Sequence, residues 1–386
     1  MNYGLVSSTF GTEEKEAMQK VIESDRFTMG DKVKEFEHAF AKYFGAKHAV
    51  MVNSGSSANL IAVASLFFRK DNPLRAGDEV IVPCISWATT YYPLHQYGLK
   101  LKFVDVDLQT LNYDIEELKK AVSSKTRMIV AVSILGNPCY FDEISRICTE
   151  KNIILFEDNC ESMGARLNNR YTGTFGLVNT FSTFFSHHIS TMEGGLVVTD
   201  DFELYCLAKS LRNHGWVRDQ DEGSTIFEMR NDDFYEAYRF ILPGYNVRPM
   251  ELQGAIGIEQ LKKLDGFLKI RRENAQHFVN LFKNDERFII QQEVGESAWF
   301  CFTMIVKPGQ DLTRERVLEV LKKADIEYRI ITGGNFLRHD VIKYFDYSVT
   351  KSSNADLAHD NGFFIGNHPI DIKEQIDLLY KVLQDI

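Results

Sequence analysis

What this chain has little of narrows it first. Its six cysteines, Cys84, Cys139, Cys148, Cys160, Cys206 and Cys301, are spread singly along 386 residues. They lack the close pairs that zinc and iron–sulfur sites use, so no metal centre is expected, and the thiols read as reduced and mostly buried. Positive charge is also scarce: 44 Lys and Arg stand against 54 Asp and Glu, a formal net charge of -10. That balance leaves no basic footprint for nucleic acid or for an anionic membrane surface. No apolar run approaches the ~20 residues that cross a bilayer, and no charged-then-apolar leader opens the sequence, so the expectation is a soluble, cytoplasmic protein. Internal repeats and low-complexity segments are missing too.

What is present is core-forming material. With 44% hydrophobic and 25% charged residues, the chain can bury more than one compact domain normally does, which predicts one large and one small domain. Two amphipathic helices open it, TEEKEAMQKVIES from Thr12 and DKVKEFEHAFAKYF from Asp31, with Thr12 and Asp31 as expected caps. Apolar runs then alternate with helical patterns: HAVMV, EVIVP, LKFVDV, MIVAVSIL and IILFE are separated by helices beginning after Gly55, at Asp114 and at Asp142. Apolar strands divided by helices predict an α/β domain with its sheet covered on both faces. A long helical pattern comes after LPGYNVRP and is expected to break near Leu264 to Phe267. Shorter strands and helices beyond about residue 285 suggest a smaller α+β domain. The expected division is 1–255 and 256–386.

Three stretches of the large domain carry chemistry. In VNSGSSANL a strand passes into a helix through Ser54, Gly55, Ser56 and Ser57, and free amides at a helix start beside small hydroxyls suit a phosphate; a purely structural serine cap would look the same. In FEDNCESMGA Asp158 comes directly after an apolar strand, where a carboxylate faces the ligand cleft of an α/β sheet and a buried one needs a cationic or protonated partner. Alone, Asp158 could equally be a helix cap. The third stretch, FSTFFSHHISTMEGG, runs from strand character through the adjacent His187 and His188 into a Glu-Gly-Gly turn. This order, phosphate turn, strand-end Asp and a reactive position before the turn, occurs in pyridoxal-phosphate enzymes, whose acidic residue keeps the ring nitrogen protonated. Trp87 and Thr89, in ISWATTYY, suit a ring-stacking wall.

On these motifs and LPGYNVRP, the chain resembles the nucleotide-sugar aminotransferases, a branch of the fold-type I pyridoxal-phosphate enzymes, over essentially its whole length. The resemblance implies the aspartate aminotransferase fold: a large domain with a mixed, mostly parallel sheet and a smaller C-terminal α+β domain. Where that family has a lysine bonded to the cofactor, this chain has His187. The histidine version resembles the subgroup of 3-dehydratases that act on GDP-4-keto-6-deoxy-D-mannose in the formation of colitose. The resemblance further implies pyridoxal or pyridoxamine phosphate held without a covalent bond, with L-glutamate as amino donor. It makes His187 the acid-base residue, a role that an ordinary imidazole pKa of about 6.5 suits. Cofactor contacts are expected from Ser56, Ser57, Trp87, Asp158, Glu161 and Ser182, and from Asn246 across a homodimer with shared sites. Substrate contacts are expected from Thr28, Met29, His214, Arg218, Arg248 and Asn335. His188 is read as structural. Two other readings remain open: an aminotransferase whose lysine has been replaced, and a non-catalytic cofactor-binding scaffold.

Overall fold

A computed structural model describes residues 2–309 and 311–386. Its centre is an eight-stranded sheet. From one edge the strands are β1 (His48–Val52), Gly195–Thr199, Val178–Ser182, β5 (Ile154–Asp158), β4 (Thr126–Val132), β2 (Glu79–Pro83), β3 (Lys100–Val104) and Tyr347–Val349. Gly195–Thr199 pairs antiparallel with both neighbours and every other pairing is parallel. The carboxyl ends of β1, β5 and Val178–Ser182 therefore meet on one edge, where an α/β sheet presents its ligand cleft.

Alternation along the strands sends side chains to two different cores. Val50 and Val52 pack in one cluster with Ile61 and Leu66 of α3 (Gly55–Phe68) and with Leu207 and Leu211 of the helix Phe202–Leu211. Ala49 and Met51, one residue out of phase, pack in another with Phe36 and Phe40 of α2 (Asp31–Phe44) and with Leu264 and Leu268. A third core gathers the late chain: Phe278, Phe302, Met304, Leu321, Ile376 and Leu379. There a four-stranded sheet runs in the order Phe288–Ile290, Cys301–Val306, Gly362–Gly366, Tyr328–Arg329, with antiparallel pairing throughout.

The break expected near Leu264 to Phe267 does not occur. One helix runs from Glu251 to Phe282, because Leu261, Leu264, Leu268, Ala275, Phe278 and Phe282 form a continuous buried stripe while Gly266 faces open space. Packing on that face overrides the local cost of glycine in a helix, about 1 kcal/mol. The helix passes residue 255 without interruption, and Tyr347–Val349 rejoins the large sheet beside β3.

Both expected N-terminal caps are also replaced. The opening helix, α1 (Thr12–Glu23), has Gly11 at its cap position, where the Gly11 amide donates to Glu14 Oε2 at 2.7 Å. For α2 the capping carboxylate comes from far along the chain: Glu251 accepts from the amides of Gly30 (2.7 Å), Lys32 (2.5 Å) and Val33 (3.3 Å). Asp31 instead pairs in solvent with Arg26 at 3.3 Å. A buried carboxylate on three helix-start amides meets the positive end of the macrodipole, so Glu251→Ala should cost about 1–3 kcal/mol of stability. Asp31→Ala should change it by less than about 0.5 kcal/mol. Urea unfolding of the two variants compares them directly, and equal losses would show that Glu251 is not the cap that matters.

Candidate active site

The carboxyl edge of the sheet gathers seven of the residues singled out in the sequence: Ser56, Ser57, Trp87, Asp158, Glu161, Ser182 and His187. Two helix starts do most of the placing. At the first, Ser54 caps α3 by accepting from the Ser57 amide at 3.1 Å, and Ser57 Oγ donates to Asn53 Oδ1 at 2.6 Å. The amides of Gly55 and Ser56, in the first turn, have no intrahelical acceptor and are free for an anion. Ser182 closes that cradle: a Cβ on Gly55 would lie 2.6 Å from Ser182 Cβ, and one on Gly195 would meet the Ser54 carbonyl. Glycine is needed at both positions because the Ser182 side chain crowds the first and the Ser54 backbone the second. The second start is Trp87, N-cap of α4 (Ala88–Gln96); its side chain is 59% exposed over the cleft edge. Thr89 Oγ1 accepts from Ser56 Oγ at 3.1 Å, tying the two helix starts together.

Asp158 ends β5 and is only 4% exposed. Its Oδ2 accepts from Asn59 Nδ2 (2.8 Å) and Thr90 Oγ1 (2.7 Å), and its Oδ1 from the Cys160 amide (3.2 Å). All three donors are neutral, and among the described residues no Lys, Arg or His lies within ion-pair distance of it. A buried carboxylate so placed calls for a cationic partner from outside the chain, and the protonated ring nitrogen of pyridoxal phosphate supplies one. With an anion cradle, an exposed aromatic wall and this carboxylate on one edge, the residues present fit that cofactor.

The two histidines separate cleanly. His187 Nδ1 lies 2.7 Å from the Cys160 carbonyl. A carbonyl only accepts, so Nδ1 carries the proton and Nε2 is the free base. Its ring meets Phe300 edge to face at 5.2 Å between centroids. Burial, with the Arg271 charge adding to it, lowers its pKa to about 4, so at neutral pH the ring is uncharged and able to take a proton. His188 is fully buried, with Nε2 3.2 Å from the Ala298 carbonyl, and burial places its pKa well below the ordinary value. Beside them, burial raises the Glu161 carboxyl to about 7; it accepts from the Leu135 amide at 3.0 Å. Leu135 has a φ of 54°, a left-handed conformation of the kind that concentrates at functional sites.

The remaining sequence candidates lie elsewhere in the single chain. Thr28 bridges to Met250. Met29 and Arg218 line a separate cavity of about 430 Å³ with Lys34, His38 and Asp219. Arg248 Nε donates to Asn246 Oδ1 at 3.1 Å, and the exposed His214 gives its amide to the Tyr245 carbonyl at 2.6 Å. Since the Val247 carbonyl accepts from the Asn53 amide at 3.0 Å, this loop borders the phosphate turn. Asn335 is 1% exposed, its amide engaged by the Leu337 N–H and by Asp356. The residues that sequence reading missed are Asn59, Thr90, the Cys160 carbonyl and Phe300. Asn59 had a visible signal, a polar residue inside the apolar helix GSSANLIAVASLFF; Phe300 had none.

Fold and site together define a fold-type I pyridoxal-phosphate enzyme. Residues 8–381 match the DegT/DnrJ/EryC1/StrS aminotransferase family, and the chain belongs to that family. A relative from Escherichia coli O55:H7, GDP-4-keto-6-deoxy-D-mannose 3-dehydratase, is 53% identical over the full length of both chains. A solved structure of such a 3-dehydratase, holding a trapped PLP–glutamate geminal diamine, superposes with a TM-score of 0.97 at 53% identity over 99% of this chain and 100% of that one. A form of ColD, another name for this dehydratase, has an adjacent Ser and His replaced by Asn and Lys; it gives 0.96 at 53% identity over 98% and 100%.

Because Asn59 and Thr90 each supply one bond to Asp158, Asn59→Leu and Thr90→Val should each weaken cofactor affinity roughly tenfold, the worth of one hydrogen bond to a buried charge. Titration of the cofactor absorbance reads this directly, and unchanged affinity in both variants would mean that Asp158 is held by other means.

Proposed function

We propose that His187 is the acid-base residue of a pyridoxal-phosphate-dependent 3-dehydratase that removes the C3 hydroxyl of GDP-4-keto-6-deoxy-D-mannose at the expense of L-glutamate. The observation that carries the role of His187 is its geometry: a neutral imidazole, oriented by the Cys160 carbonyl, with Nε2 free beside the Asp158 cleft. The ColD variant points the same way. The one adjacent Ser–His pair in this chain is Ser186–His187, which favours His187 over His188 as the counterpart of that replaced histidine.

The cofactor, when bound, supplies an electron sink and a carrier for the amino group. The Ser54–Ser57 turn and Ser182 would hold its phosphate, Trp87 would cover its ring, and Asp158 would keep the ring nitrogen protonated. His187 moves the proton from the glutamate α-carbon in the first half of the cycle. In the second half it takes a proton at the carbon bearing the amino group and returns one to the departing C3 hydroxyl, which leaves as water. An imidazole shuttles protons as well as a lysine amine does but makes no stable covalent bond to the cofactor, so the product is not captured by the enzyme and is hydrolysed to ammonia and the 3-deoxy ketosugar. The sum is balanced: one oxygen leaves sugar C3, which is reduced by two electrons, and the glutamate α-carbon is oxidised by two as 2-oxoglutarate forms.

The working unit is proposed to be a cytoplasmic homodimer in which Asn246 reaches the neighbour's cofactor phosphate; the exposed Tyr238 and Phe240, stacked on the half-buried Trp216 at 5.4 and 6.0 Å between centroids, support a covered face beside it. Residues Thr28, Met29, His214, Arg218, Arg248 and Asn335 are proposed for the substrate side, and 1–255 and 256–386 as the two domains. No helix among the described residues is long and apolar enough to cross a membrane.

The test is sequential. L-Glutamate should shift the long-wavelength absorbance of the bound cofactor to the near-UV, and GDP-4-keto-6-deoxymannose should then yield one ammonia per 3-deoxy product. His187→Asn should slow both steps by about 10²–10⁴. An amino sugar without ammonia would identify an aminotransferase instead, and silence in both steps a scaffold.

A further inference from the structure

Arg271 is a buried cation without an anionic partner. It lies inside the long helix at 3% exposure. Its Nη1 donates to the carbonyls of Phe300 (3.2 Å) and Asn367 (2.8 Å), while its Nε has no partner. Among the described residues no carboxylate approaches within 4 Å of it. Burial lowers its pKa only to about 10, so it stays charged at neutral pH. Leaving such a charge unpaired is costly. A structural staple between two carbonyls would be served as well by a neutral donor, so the charge itself needs a reason.

The neighbours supply one. The peptide that Arg271 grips is that of Phe300, whose ring contacts both His187 (5.2 Å) and His188 (5.6 Å). The Phe300 amide donates to the Leu135 carbonyl at 3.0 Å, and the Leu135 amide to Glu161. One short strap thus joins the long helix, the two histidines and Glu161. We infer that Arg271 is a positioning residue for His187: it fixes the Phe300 strap against the imidazole and, through its uncompensated charge, keeps that imidazole in the neutral, proton-accepting form. The inference rests on the reading of His187 as the acid-base residue.

The groups that face His187 divide by element. From the loop after β5 come Asp158, which favours the charged ring, with Cys160 and Glu161. From its own loop comes His188, neutral and buried. Beside Phe300 stands Cys301, whose buried thiol is held protonated by desolvation, and from the long helix comes Arg271, which opposes protonation. Arg271 is therefore the one fixed cation acting against Asp158 at this ring. The same opposition helps the reverse step: once His187 has accepted a proton, repulsion from Arg271 favours handing it on.

Two variants separate charge from stapling. Arg271→Lys keeps a charged donor and Arg271→Gln a neutral one. The rate of the glutamate half-reaction is measured from about pH 3 to 7, together with the pH dependence of carbethoxylation at His187 by peptide mass spectrometry. In the native chain and in Arg271→Lys the acid limb should stay below about pH 5 by both readouts; in Arg271→Gln it should rise by about half a unit to one unit. A limb in Arg271→Gln that coincides with the native one, with only a lower unfolding temperature, would reduce Arg271 to a staple and overturn the inference. If Arg271→Gln does not fold, Arg271→Met supplies the neutral side chain instead, and a carbethoxylation midpoint unchanged from the native one overturns the inference. These failures differ from failure of the underlying reading, in which His187→Asn would stay active whatever residue 271 is.

Discussion

A carboxylate with no cation of its own sits at the centre of this protein. Asp158 is buried at the end of β5, and among the described residues its partners are Asn59, Thr90 and the Cys160 amide, all neutral donors that orient it. The supporting parts are economical. Asn59 lies one turn into α3, the helix whose first turn forms the anion cradle, and Thr90 lies in the first turn of α4, the helix capped by Trp87. The distances between phosphate site, ring wall and ring-nitrogen partner are thereby set by two helix starts packed on one sheet, and each start answers to the other through Ser56 and Thr89.

His187 lies between opposed charges. Asp158 in the cleft favours its protonation, and Arg271 behind the Phe300 strap resists it. Desolvation tips the balance to the neutral ring, and the Cys160 carbonyl selects which nitrogen is exposed as base. A lysine here could tether the cofactor; a histidine can only move protons. On the proposed reading, that single chemical difference would turn a family scaffold built to transfer an amino group towards expelling a hydroxyl and losing the amino group as ammonia. The same difference puts the whole burden of retaining the cofactor on the cradle, the wall and Asp158.

Much of this could be read in the sequence because the informative residues sit in short motifs, each at the carboxyl end of a strand that the sheet brings to one edge. SGSSAN, FEDNC and SHHISTMEGG each announce a turn at the carboxyl end of a strand. The sequence hid whatever depends on distant partners. Glu251 caps a helix more than two hundred positions earlier; Thr12 and Asp31 looked adequate because capping was judged locally. The expected break near Leu264 failed for the same reason, since the stripe that keeps the helix whole is fixed by what it packs against. Phe300 and Arg271 reach the histidines only through folding, and no local pattern marks them. His187 and His188, indistinguishable by type and adjacent in sequence, are told apart by which carbonyl each one meets.

Nitrogen-15 NMR of ring-labelled cofactor bound to the native chain tests the central constraint most directly. The buried, uncompensated Asp158 predicts a ring nitrogen that stays protonated well above the ordinary pyridine range, and one that loses its proton near neutrality in Asp158→Asn. A neutral-pyridine shift in the native chain at neutral pH would contradict it.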